Sequence, residues 1–119
     1  MALQNDLTAR LSRYREITIT VTGRKSGRKI SNPVWFVLED EKLYLLPVQG
    51  SDTHWYKNVL KDPSMSIDAR GASAGFSAVP IRDAKQVSSV VDRFRAKYGP
   101  DDVKKYYSKF DVAVLAQPR

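Results

Sequence analysis

The run Glu16 to Thr22, EITITVT, leaves the chain few conformations. Ile17, Ile19 and Val21 fall on one side of an extended backbone, and Thr18, Thr20 and Thr22 fall on the other. Six consecutive β-branched residues in strict alternation do not fit the 3.6-residue helical period. They predict a strand with one buried face. Gly23-Arg24-Lys25-Ser26-Gly27-Arg28-Lys29 follows, with glycines bracketing a polar tip. Strand character resumes from Ile30 to Leu38, so the intervening segment predicts a hairpin loop. Glu39 to Lys42 reads as a second turn, and Leu43 to Val48 as a third strand, apolar enough to be central.

Further along, Ser51 or Asp52 is positioned to cap a short helix through His54, Trp55 and Leu60, closed by Asp62-Pro63. Met65 to Arg70 predicts a fourth strand, Gly71 to Gly75 a turn, and Phe76 to Ile81 a fifth strand. Asp83 caps the longest helix, where Val87, Val90, Val91, Phe94 and Tyr98 form an apolar stripe stopped by Gly99-Pro100. Asp101 to Tyr107 predicts another short helix and Val112 to Leu115 a last strand. Before the first strand, Leu7, Leu11 and Tyr14 mark a short helix over Leu3 to Tyr14. The expected class is α+β: a barrel of about six mostly antiparallel strands with two to four helices, in one domain of 119 residues.

Charge is concentrated rather than spread. The formal net charge is +7, and residues 10–29 alone carry +6, from Arg10, Arg13, Arg15, Arg24, Lys25, Arg28 and Lys29 against Glu16. A solvated face, a nucleic-acid or anionic-lipid patch, and a pocket for a small phosphorylated ligand all answer to that description. With no cysteine, the chain has no disulfide scaffold, thiolate metal site or thiol nucleophile, and a single histidine, His54, excludes a multi-histidine site. No metal is expected. The start MALQNDLTARLSRYRE has no apolar run, and no stretch approaches a membrane span, so a cytoplasmic protein is expected, with at most weak peripheral lipid contact through the basic amino-terminal helix.

Conventional catalytic sets are missing. His54 has no G-x-S-x-G elbow and reads as a solvent-facing or structural residue, and the acidic residues cluster in turns. The loop from Gly23 to Gly27 matches neither nucleotide-binding fingerprint. What it offers is Arg24, Lys25, Ser26 and Arg28, with backbone amides, at one tip: donors suited to a phosphate. Trp35 and Phe36 lie on the next strand and Trp55-Tyr56 after Gln49-Gly50, so flat rings stand near the cations. That combination suits a ring system with a phosphate tail, although either tryptophan taken alone fits a core position better than a ligand wall.

These segments, T-G-R-K-S-G-R at Thr22 to Arg28, Asn32-Pro33-Val34-Trp35, Trp55-Tyr56-Lys57-Asn58 and Asp62-Pro63, resemble the deazaflavin-dependent nitroreductase family. That family belongs to the flavin-binding split β-barrels related to pyridoxamine-phosphate oxidase. The resemblance runs from about Thr18 to Arg70, with weaker echoes at Tyr106-Tyr107 and in the final VAVL strand. It implies a split β-barrel binding the deazaflavin coenzyme F-420, or alternatively FMN. By position, Arg24, Lys25, Ser26 and Arg28 would hold the phosphate. Pro33, Trp35, Val48, Gln49, Gly50 and Trp55 would border the ring, and Tyr106 and Tyr107 would stand near the substrate as the catalytic pair.

The implied activity is hydride transfer from the reduced deazaflavin to a small-molecule electron acceptor: a quinone, nitroaromatic or enone. The coenzyme carries that chemistry, so no triad or metal is needed. Ile30 replaces a basic residue frequent in the family, and the segment from Gln49 to Trp55 is short. The short segment motivates an alternative, a non-catalytic carrier or sensor of a flavin, tetrapyrrole or acyl ligand in the same barrel. Nucleic-acid binding through residues 10–29 ranks behind both, and no nucleic-acid partner is expected. A homodimer is expected, as is common among split barrels.

Overall fold

In a computed structural model, which describes residues 11, 13–40 and 42–119, six strands close into an antiparallel barrel. The strands are β1 (Glu16–Thr22), β2 (Lys29–Glu39), β3 (Lys42–Leu45), β4 (Ser64–Ala69), β5 (Ala72–Ile81) and β6 (Ala113–Pro118). Three helices accompany them among the described residues: α1 (His54–Lys61), α2 (Ala84–Tyr98) and α3 (Pro100–Tyr106). Around the barrel the order is β1-β2-β3-β6-β5-β4, returning to β1 through its pairing with β4. No open edge is left in the sheet.

The alternation in β1 has the consequence expected of it. Ile17, Ile19 and Val21 are buried inside the barrel, together with Met65 and Ile67 of β4 and Phe76 of β5. Each such side chain contributes about 1.5–3 kcal/mol by leaving water. A second apolar cluster lies outside the barrel wall, where the α2 stripe of Val87, Val90, Val91, Phe94 and Tyr98 packs with Leu46, Val103 and Tyr107. Trp35 and Val37 of β2 join this outer cluster. Asp83 caps α2, its carboxylate accepting the Gln86 N–H at 3.1 Å, and Gly99 ends the helix at φ 96°.

Strand β2 serves two neighbours. Lys29 to Trp35 pair with β1, and Phe36 to Glu39 pair with β3. At the changeover, the Phe36 N–H donates to the Tyr98 hydroxyl at 3.0 Å. That hydroxyl lies 2.7 Å from the Arg15 carbonyl and 2.9 Å from the Phe36 carbonyl, either of which accepts its single proton. The Lys97 ammonium also donates to the Phe36 carbonyl, at 2.7 Å. The end of α2 is thereby fastened to the bend of β2.

Several boundaries differ from the sequence expectation. The turn expected over Gly71 to Gly75 contracts to Arg70 and Gly71, whose φ values of 56° and 97° make a tight hairpin, so β5 starts at Ala72. β3 stops at Leu45, which places Val48 in a turn rather than a strand. The α1 cap is Thr53, not Ser51 or Asp52. Those two residues form a 3₁₀ turn, with Ser51 held by Asp111 and Asp52 paired with Lys109. The helix expected over Leu3 to Tyr14 lies mostly outside the described residues, although Leu11 is buried in the barrel core with Tyr14 packed against that core. Among the described residues, no helix is long and apolar enough to cross a membrane.

Candidate functional site

A cavity of about 590 Å³ opens at the seam between the two apolar clusters. One wall is β2, contributing Asn32, Pro33, Val34 and Trp35, with Glu16 at the start of β1. A second is the segment after β3, with Leu46, Val48 and Gln49. The beginning of α1 supplies Thr53, His54 and Trp55, and the end of α3 supplies Tyr106 and Tyr107. Segments far apart in sequence therefore converge on one largely apolar space of a size suited to a small ligand.

The rings in this space have fixed relations. Trp35 stacks on Tyr98 with centroids 4.2 Å apart and planes 11° from parallel. Tyr106 meets Trp35 edge-on at 5.5 Å and 75°, and Tyr107 is tilted against it at 6.0 Å and 53°. Trp55 is buried in the barrel core while still bordering the cavity. Burial, with Tyr98 close by, pushes the Tyr107 phenol well above its usual value, so at neutral pH it is a hydrogen-bond donor rather than a base. Burial raises Tyr98 to about 12, against the opposing effect of its bond to the Phe36 backbone.

The walls at Val48–Gln49 and Tyr106–Tyr107 are tied together. The Ser108 N–H donates to the Val48 carbonyl at 2.9 Å, and Gln49 bridges to Lys109. Asp111 accepts from both the backbone N–H (2.9 Å) and the hydroxyl of Ser51. Burial alone would raise the Asp111 carboxyl, but these bonds and Lys109 hold it below the usual carboxylate range. Gly50 is buried here at φ 56°, and a Cβ there would meet the Asp111 carboxylate at 2.1 Å. Only glycine fits.

The cationic loop lies beside this cavity. The Arg24 backbone N–H and guanidinium both donate to the Asn58 side-chain oxygen on α1, at 3.1 and 2.7 Å, and the guanidinium reaches the His54 carbonyl at 3.4 Å. Lys61 donates to the Arg24 carbonyl at 2.8 Å. Asn58 is the buried polar side chain among the described residues, and fastening this loop is what it does. Three of the loop amides are already taken: those of Arg24, Gly27 and Arg28 donate to Asn58, Gly23 and Ser26. Lys25, Ser26 and Arg28 are exposed, and among the described residues no carboxylate pairs with Arg24, Lys25 or Arg28.

Of the residues expected at a ring site, Pro33, Trp35, Val48, Gln49 and Trp55 border the cavity, as do Tyr106 and Tyr107. Gly50 does not; it shapes the turn behind Gln49. Arg24, Lys25, Ser26 and Arg28 lie outside the cavity and touch its wall through Arg24 and His54. Sequence reasoning missed Glu16, Asn32, Val34, Leu46 and Thr53, and set His54 aside. Glu16 had a findable signal, since in the β1–β2 hairpin it stands directly opposite Trp35.

The fold is that of the split β-barrels that include pyridoxamine-phosphate oxidase-like proteins. It recurs in a structure described as an F420-H2 dependent reductase (FDR-A), 21% identical, covering 87% of this chain and 94% of that one with a TM-score of 0.67. HutZ, the heme storage protein from Vibrio cholerae, is 17% identical over 100% of this chain and 92% of its own, with a TM-score of 0.71. A putative pyridoxamine 5'-phosphate oxidase from Listeria innocua is 10% identical over 97% of this chain and 92% of that one, with a TM-score of 0.72. Within this class, the chain belongs to the family described as "Uncharacterized protein conserved in bacteria (DUF2255)", whose model matches residues 7–113. No curated protein matches it.

Proposed function

We propose that this chain, as one split-barrel domain over residues 1–119, is a cytoplasmic reductase that uses the deazaflavin coenzyme F-420 and reduces a quinone, nitroaromatic or enone. The observation that carries this reading is the convergence of Pro33, Trp35, Val48, Gln49, Trp55, Tyr106 and Tyr107 on one cavity whose wall is joined to a cationic loop by Arg24. The residues present fit such a coenzyme: flat apolar walls for a ring system, and unpaired cations alongside for a phosphate. When bound, the coenzyme supplies the hydride.

The protein supplies the rest. Lys25 and Arg28 hold the phosphate by charge, and the Ser26 hydroxyl, which accepts from Arg28 at 3.2 Å, keeps its own proton to donate. Arg24, fastened to Asn58, fixes the loop against α1 and offers its remaining N–H groups. Trp35, Pro33 and Trp55 would exclude water from the ring, and Val48 and Gln49 would border it. Tyr107, held protonated, donates a hydrogen bond to an acceptor oxygen, and Tyr106 stands at the half-exposed mouth. Val48 and Tyr106 are exposed apolar side chains beside that mouth, which supports a homodimer covering it.

The test is oxidation of reduced coenzyme F-420 by the purified protein with menadione. Protein-dependent turnover is expected, reduced at least tenfold in a Lys25→Ala, Arg28→Ala double variant; no binding and no turnover overturns the reading. A second reading, a carrier or sensor of a tetrapyrrole, flavin or acyl chain, is favoured by His54 in the cavity wall, where an imidazole can ligate iron. The visible spectrum of the freshly purified protein separates the two, through a haem band that His54→Ala removes.

A further inference from the structure

The end of the cavity formed by β1, β2 and α3 carries one charged side chain that the hydride reaction does not use. Glu16 is the sole carboxylate in its lining. It pairs across the hairpin with Trp35, so the two side chains leave the same face of the sheet from Cβ atoms about 5 Å apart. Trp35, Tyr106 and Tyr107 meet there at 75° and 53°, which makes a corner of rings rather than a flat stack. No lysine or arginine among the described residues lines this cavity; Arg13, Arg15 and Arg70 line the hollow on the other side of Glu16, the Arg15 guanidinium 5.3 Å from the Tyr98 ring centroid, and the Lys97 ammonium lies 3.6 Å from that of Phe36. Among the described residues, neither Arg15 nor Lys97 forms an ion pair with Glu16.

A corner of electron-rich rings with one carboxylate at its edge attracts a weakly hydrated organic cation, because ring quadrupoles and the carboxylate pull on the same charge. It also disfavours an anion.

The geometry points to Glu16 and the Trp35–Tyr106–Tyr107 corner as a site for an alkylammonium group, so that the electron acceptor is an organic cation. The assignment of that cation as the acceptor rests on the reductase reading above; the binding site itself does not. The group is bound through its charge, beside the part of the acceptor that meets Tyr107, so Glu16 acts on affinity rather than on hydride transfer.

The test uses three probes of nearly equal shape: benzyltrimethylammonium, its neutral carbon isostere neopentylbenzene, and anionic phenylmethanesulfonate. Binding to the full chain at low salt is followed by quenching of indole fluorescence. The cation is expected to bind about tenfold more tightly than the isostere, with the sulfonate weakest. In Glu16→Gln the cation falls to within about twofold of the isostere, and Glu16→Asp keeps most of the preference. Equal binding of cation and isostere by the unaltered protein overturns the inference, whatever the variants do. A parallel titration with coenzyme F-420 separates the two readings. Coenzyme binding without ammonium selectivity sinks this inference alone, and selectivity without coenzyme binding sinks the reductase reading while leaving the site standing.

Discussion

At the scale of single residues, two sets of polar contacts hold the site in shape. Asn58 accepts twice from Arg24, so removing its oxygen leaves a backbone N–H and a guanidinium unsatisfied at once. Asn58→Ala is expected to cost about 2–3 kcal/mol, read as a lower urea midpoint, and to free the 23–28 loop to proteolysis. The second set is the Lys97–Tyr98 pair on the bend of β2. Lys97 counts as a surface residue, yet its ammonium sits over the Phe36 ring, and burial with Arg15 nearby lowers it to about 8 from 10.5. Between pH 8 and 10.5 the unfolded chain therefore binds more protons at this lysine, and stability rises with pH. Tyr98, raised from 10 to about 12, acts in the opposite sense: the folded chain keeps a proton that the unfolded chain loses, so stability falls from pH 10 to 12. Urea midpoints measured from pH 7 to 12 are expected to pass through a maximum near pH 10. Lys97→Met flattens the rising limb, and Tyr98→Phe makes the falling limb shallower. Unchanged limbs in both variants would exclude this pair as the source.

At the scale of elements, legibility followed locality. The β1 strand was readable because Ile17, Ile19 and Val21 obey one period, and the α2 start because Asp83 caps its own helix. The α1 start was misassigned because Ser51 and Asp52 look like caps but are claimed by Asp111 and Lys109, about sixty residues away. No local pattern reports such a partner. His54 goes unplaced at the site for the same reason, since packing puts it on the cavity wall, whereas Glu16 follows only once the β1–β2 register sets it opposite Trp35. The 46–53 segment is now the element most open to test. Gly50→Ala places a Cβ against Asp111 at a φ of 56°, and a loss on the order of 2 kcal/mol in thermal or chemical stability is expected. Asp111→Ala is milder for the fold, since the group is exposed, but it releases Ser51 and so loosens one of the ties between the 46–53 segment and the Tyr106–Tyr107 wall. Its expected signature is a several-fold weaker coenzyme titration with a melting point within a few degrees of the parent.

At the scale of the whole molecule, the barrel divides what looks in sequence like one basic tract. Arg13 and Arg15 precede β1, and Arg24, Lys25, Arg28 and Lys29 follow it, so a seven-residue strand separates them. At about 3.3 Å per residue, the two groups stand about 20 Å apart, more than two screening lengths at physiological salt. They cannot act as a single patch on a small anion. The arginines before the strand border a polar hollow with Tyr14, Asp68 and Arg70 that meets the aromatic cavity only at Glu16, whereas the loop after it touches the α1 wall of that cavity and gains Lys61 from α1. A nucleic-acid stripe would draw on both groups alike, and the proposed phosphate site draws on only one. Replacing Lys25 and Arg28 by alanine is therefore expected to weaken coenzyme F-420 binding by tenfold or more and to flatten its dependence on salt, while replacing Arg13 and Arg15 leaves both nearly unchanged. Equal losses from the two pairs, measured by titration at 50 and 300 mM salt, would mean that the charge acts as a general field, and that the loop holds no phosphate of its own.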